Sequence, residues 1–318
     1  MSLHFRVTVP FIVATLLTGC AGARAGTAPT PSAASVDGPR VVAASSGRDV
    51  SFARMADDAA KADVVFFGEQ HDDAETHKAE LALLTAIGER RGKVILSLEM
   101  FERDVQPLVD AYLAGAIGEA EFRAQARPWP NYETDYRPLL ELAREKHWPV
   151  LAANVPRRLA SMVSRKGLAA VDSLPATDRA FVAQELLCPK DQYYANFVEV
   201  MGGGHGGAAP SPATAAAPAA SMVDLVYEAQ CIKDETMAES IAVARMKSGE
   251  GTVVVHFNGS FHTDFGLGTA ARVRRRLPLA KTVVVSAVPT PAPMAAVAKE
   301  LVGRGQYIVI VKRLAPTR

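Results

Sequence analysis

Six short runs of β-branched and aromatic residues constrain this chain more than anything else in it: Val64–Phe67, Lys93–Met100, Pro149–Ala152, Thr252–Phe257, Lys281–Ala287 and Gln306–Val311. Between most of them lie stretches with helical periodicity. Ala74–Arg90 carries Ala79, Leu83, Leu84 and Ile87 on one face, and Asp104–Leu113, Tyr136–Lys146, Ala270–Arg276 and Met294–Gly303 follow the same rule. Strands separated by helices must run mostly parallel, because a parallel return needs a long crossover. The fold class expected is therefore α/β, a mostly parallel central sheet with helices on both faces. One stretch breaks the alternation. From about 159 to 248 no strand pattern occurs, only helical ones at Asp178–Leu187, Gln192–Met201 and Met222–Lys247, so a lid-like helical insertion is expected. Within it, 202–220 is Gly, Ala, Pro and Ser around His205, a composition that predicts a disordered loop.

The polar residues fall at strand ends. Phe66-Phe67 stops at Gly68-Glu69-Gln70-His71-Asp72; the second run ends in Glu99; the third leads into Asn154 and Arg157; the fourth ends in Asn258 and His262. Parallel strands put all these ends on one edge of the sheet, where ligands of open α/β folds bind. Two chemistries suit the cluster. Glu69, His71 and His262 could ligate a divalent metal, or His71 or His262 could act as general base on water, oriented by Glu69 or Glu99. His77 is expected on the exposed face of its helix.

The N-terminus reads as an export signal. His4 and Arg6 precede an apolar stretch, Val7–Leu17, too short for the roughly 20 residues of a membrane span. It ends in Leu17-Thr18-Gly19-Cys20, which resembles a bacterial lipobox. Residues 1–19 are then a lipoprotein signal peptide, Cys20 the lipidated residue, 20–40 a flexible tether, and 41–318 the folded domain. Ala21 after the cysteine favours the outer membrane of a Gram-negative cell. In that oxidising setting the remaining cysteines, Cys188 and Cys231, are expected to form a disulfide, with two buried thiols as the alternative. The net charge of +1 gives no case for a nucleic-acid partner.

The segments GEQHD, LSLEMF, ARPWPNYETDYRPLLELAREKHWPVLAANVPR and HFNGSFH together resemble the ChaN-like family, haem-binding, iron-regulated lipoproteins of the superfamily that includes Tiki proteases and erythromycin esterases. The resemblance spans roughly 50–310. It implies an α/β fold, haem held between two subunits of a homodimer, a role in haem or iron acquisition, and an outer-membrane haem receptor as partner. From the superfamily's Gly–Glu–His signature, Glu69 and His71 are the inherited polar pair, supported by Glu99 and His262. Haem ligation by tyrosine makes Tyr193 and Tyr194 candidates, together with Tyr132, Tyr136 and His205; Asn154, Arg157 and Asn258 complete the expected binding set. A hydrolase using the strand-end cleft is the alternative. Haem is the expected cofactor, with a divalent metal as the enzyme's option.

Overall fold

The computed structural model describes residues 39–203, 221–290 and 301–312. A hairpin opens the fold, β1 (Arg40–Ala43) and β2 (Arg48–Val50), followed by α1 (Phe52–Ala59). Then come β3 (Val64–Glu69), α2 (Ala74–Arg91), β4 (Val94–Glu102), α3 (Gln106–Leu113), α4 (Glu119–Ala126), α5 (Arg137–Glu145) and β5 (Val150–Asn154). The helical stretch is α6 (Arg157–Lys166), α7 (Ala176–Arg179), α8 (Gln192–Gly203) and α9 (Met222–Lys247). The sheet resumes with β6 (Val253–Gly259), α10 (Gly268–Arg276), β7 (Thr282–Thr290) and β8 (Tyr307–Lys312).

The eight strands form one sheet in the order β2-β1-β8-β7-β3-β6-β4-β5. From β8 to β5 every pair is parallel, and only β1 runs against its neighbours. Central strands buried on both faces explain the unbroken apolar runs. Alternate residues serve alternate layers. Val65, Phe67, Leu96, Leu98, Val255 and Phe257 pack with Met55, Leu83, Leu84, Val109 and Leu139 under α1, α2, α3 and α5. Val64, Phe66, Ile95 and Val254 point the other way, onto Ala238 and Ile241 of α9 and Ala270 and Val273 of α10.

That second layer corrects the picture of a lid. The long helix α9 lies on the sheet and contributes to its core, so the helical stretch shares with α10 the cover of one face. The helix expected at Asp178–Leu187 is replaced by the single turn of α7 and irregular chain, which Arg179 holds by donating to the carbonyls of Val182, Ala183 and Gln184. Cys188 and Cys231 are disulfide-bonded, 43 residues apart, joining the chain just before α8 to the middle of α9. The tract 204–220 with His205, the residues before 39 with Cys20, and most of the helix expected at Met294–Gly303 lie outside the described residues.

Candidate functional site

Parallel strands deliver Glu69, Glu99 and the Gly259–His262 turn to one edge, and the backbone there is unusually close. A Cβ on Gly68 would lie 2.9 Å from the Cα of Ser260, and one on Gly259 would lie 2.8 Å from Nε2 of His71. Only glycine lets the β3 and β6 ends meet while leaving room for the imidazole. The result is a cleft of about 360 Å³ whose lining includes Glu69, His71, Glu99, Gln230, Lys233 and His262.

His262 is locked between two buried carboxylates. Its Nε2 lies 3.2 Å from Glu99 Oε1 and its Nδ1 lies 2.8 Å from Asp234 Oδ1. Burial opposes its charge, but the two carboxylates outweigh that and raise its pKa to about 10. Burial likewise opposes the charges of Glu99 and Asp234, and the His262 cation holds both below the usual carboxylate range. Glu99 Oε2 accepts from Gly259 N at 2.8 Å, and Asp234 also accepts from the Tyr193 and Thr269 hydroxyls at 2.7 and 2.8 Å. With both ring nitrogens spent on carboxylates, His262 is a fixed cation in this arrangement. Ligating a metal or taking up a proton there would require His262 first to give up its proton and one of these carboxylate contacts.

His71 is the accessible member, its side chain 45% exposed. Nδ1 lies 2.6 Å from Glu69 Oε1, and Trp129 meets the ring edge-on at 4.6 Å. Burial works against the imidazolium, while the Glu69 hydrogen bond and the nearby Glu99 charge raise its pKa. Glu69 Oε1 also accepts from the Tyr136 hydroxyl. Glu69 is buried, which pushes its pKa up, yet the His71 hydrogen bond, the adjoining Glu80 carboxyl and the neighbouring imidazoles bring it below the ordinary value.

Behind this pair lies a second layer that sequence reasoning missed. His77, expected on an exposed helix face, is 3% exposed. Its Nδ1 lies 2.8 Å from Glu80 Oε2, its Nε2 lies 3.2 Å from the His71 carbonyl, and Tyr136 packs against the ring at 4.9 Å. Asn131 donates to the same carbonyl and to Asp135, both at 2.7 Å. The aromatic, Pro-rich segment 127–136 is therefore the wall that orders Glu69 and His71. Burial, together with the charge of Glu69, drives Glu80 well above the usual carboxylate range. A group able to hold a metal is present among the described residues, but it is Glu69, His77 and Glu80. His71 and His262 instead serve separate carboxylates.

The remaining expected site residues have other tasks. Asn154 donates to the Glu99 carbonyl at 3.1 Å, supporting the cleft from behind. Asn258 is buried and donates to the Gly259 carbonyl and the Thr263 hydroxyl at 2.8 and 3.3 Å. Arg157 is exposed on the first turn of α6 and is not part of the cleft lining. Tyr193 is 2% exposed with its hydroxyl on Asp234, and Tyr194 donates to Asp224 at 2.8 Å. Tyr132 and Tyr136 are core residues, each 1% exposed. A larger groove of about 710 Å³ adjoins the cleft and shares Val200 and Phe261 with it; Phe265, Leu267, Val302 and Arg304 also line it.

Residues 55–273 match the family model described as haem-binding uptake, Tiki superfamily, ChaN. Among solved structures, the one described as cofacial haem binding to ChaN of Campylobacter jejuni superimposes with a TM-score of 0.62 at 16% identity, over 86% of this chain and 97% of that one. The type III effector HopBA1 aligns at 10% identity and a TM-score of 0.41, over 82% of this chain and 92% of its own. A Bacillus cereus protein does so at 11% and 0.36, over 74% of this chain and 68% of that one. No curated protein sequence matches the chain.

Proposed function

Since the chain belongs to the haem-binding uptake family of the Tiki superfamily that contains ChaN, we propose that it binds haem and serves haem or iron acquisition. The observation that carries this reading beyond membership is the groove of about 710 Å³ beside the cleft. Val200, Phe265 and Val302 stand 61%, 45% and 50% exposed there. Exposed large apolar side chains gathered in one concavity suit a flat apolar ligand. Arg304, at the same groove, has a buried Nε with no partner and an Nη1 3.3 Å from Asp264. A porphyrin would lay its apolar face on Phe261, Phe265 and Val200 and offer a propionate to Arg304. Bound haem would supply the iron centre. Tyr193 lines the groove, but its phenol is committed to Asp234, so ligation through it requires that hydrogen bond to be given up.

Anchoring through Cys20, export to an outer membrane, a homodimer closing over the haem and delivery to or from a receptor belong to the same proposal. They rest on the LTGC sequence, on the exposed apolar rim and on the cofacial haem binding of the Campylobacter protein. Hemin titration of the purified chain tests it. A saturable Soret shift is expected, abolished by Val200→Asp with Phe265→Asp and retained in His71→Ala; an unchanged spectrum refutes haem binding. The half-exposed His71 on buried Glu69 favours hydrolysis as a second reading, with His71 exchanging protons with a substrate in the cleft. An esterase and peptidase screen in which wild type and His71→Ala behave alike removes it.

A further inference from the structure

Among the described residues, hydrogen bonds alone satisfy the polar cluster of Glu69, His77 and Glu80 poorly. Glu69 Oε2 and Glu80 Oε1 are buried without a donor, although the two carboxylates lie within hydrogen-bonding reach of each other. Buried carboxylate oxygens left unpaired are costly and rare. His77 sharpens the difficulty. Its Nε2 faces the His71 carbonyl at 3.2 Å, and a carbonyl only accepts, so Nε2 carries a hydrogen. In the neutral ring Nδ1 is then a lone pair, 2.8 Å from Glu80 Oε2, which is another acceptor. Two acceptor–acceptor contacts meet on Glu80, one to His77 and one to Glu69. Two protons would settle them, and so would one doubly charged cation, at the same total charge.

We propose that Glu69, His77 and Glu80 form a binding site for a first-row divalent cation of the zinc class, set behind the cleft. Their candidate ligand atoms all lie within 4.8 Å of one another. A small inward movement of the side chains brings such a set to the roughly 2.0–2.2 Å bonds zinc makes with nitrogen and oxygen. One imidazole and two carboxylates, with no thiolate, suit Zn²⁺ or Mn²⁺ and not a soft ion.

The outer contacts match what metal ligands require. A ligating histidine usually donates its other N–H to a carbonyl or carboxylate; His77 has the His71 carbonyl, with Asp135 Oδ2 at 3.6 Å. Glu69 would bind through its free Oε2 while Oε1 stays with Tyr136 and His71. The ion would therefore fix Glu69, and through it His71, without entering the cleft. Binding here is separate from haem binding in the groove and needs no haem.

The test is Zn²⁺ binding by the full-length chain after chelator stripping, followed by calorimetry and elemental analysis, with Co²⁺ absorption as an independent readout. One equivalent is expected, weakened at least 100-fold in His77→Gln and in Glu80→Gln and kept in His71→Ala and Glu99→Gln. If either His77→Gln or Glu80→Gln fails to fold, visible Co²⁺ bands of a four-coordinate nitrogen–oxygen site in the wild type stand in for it, and their absence counts against the site. No bound ion, or an ion lost in His71→Ala but kept in His77→Gln, overturns the proposal.

Discussion

Replacing His262 by Gln removes the one cation between Glu99 and Asp234, and the effect should depend on pH in a defined direction. Held between carboxylates at 3.2 and 2.8 Å, the imidazole has a folded-state pKa of about 10 against an ordinary 6.5. That difference corresponds to on the order of 5 kcal/mol of stability. Because the folded value is raised, the contribution is complete below pH 6.5 and is lost as pH climbs through about 10. Wild-type stability should therefore fall across that window. With a urea m-value of about 3 kcal/mol/M, the midpoint should drop by roughly 1.5 M between pH 6 and pH 10. The variant removes the charge shared by two buried carboxylates, leaving Arg272 to act on Asp234 and Lys233 and His71 on Glu99, at a cost of about 3 kcal/mol near neutrality. Its own midpoint should change little over the same range, so the two curves converge toward pH 10. Urea denaturation of both proteins, followed by circular dichroism at half-unit pH steps, measures this. Parallel curves would show that His262 is not the charged keystone described above.

Two further substitutions probe close packing. Gly88→Ala in a helix ordinarily gains about 1 kcal/mol, but here the new Cβ would sit 2.1 Å from Cη2 of Trp148. Overpacking of this kind costs about 1–3 kcal/mol, so calorimetry should show a melting point several degrees lower. Gly259→Ala directs its methyl at Nε2 of His71, a half-exposed ring that can swing away. Stability should change by less than about 1 kcal/mol, while the His71 pKa, followed by NMR, should fall as its bond to Glu69 is broken.

Much of this architecture is legible in the sequence because the central strands are buried on both faces and announce themselves as apolar runs. The bounds of α9 follow from Ser221, whose hydroxyl and Asp224 form a capping box, and from the loss of periodicity after Lys247. The short hairpin β1–β2 and the helices α1 and α4 were not legible. Their few residues gain stability from the sheet and from neighbouring helices rather than from local pattern. Glu69, His71, Glu99 and His262 were found because they sit at strand ends. Asp234 and Glu80 were missed because they sit on helices, yet each carried a signal. Tyr227, Cys231, Asp234, Ala238 and Ile241 share one buried stripe of α9, as Thr76, Glu80, Leu83 and Ile87 do on α2. A carboxylate inside an apolar stripe is buried, and a buried carboxylate needs a partner. Helical periodicity misplaced His77 for the same reason, since its burial comes from the distant Asp135 and Tyr136 side chains.

Among the described residues, the reversed strand β1 sets where the fold begins relative to the cleft. β1 runs antiparallel to β8, pairing Arg40 with Ile310, so the chain enters the sheet at the edge where the parallel strands end. Two strands, β8 and β7, separate it from β3 and the cleft, roughly 15 Å at the usual spacing. The first described residues and the cleft thus share one edge of the sheet, the edge at which β3 and β6 also finish.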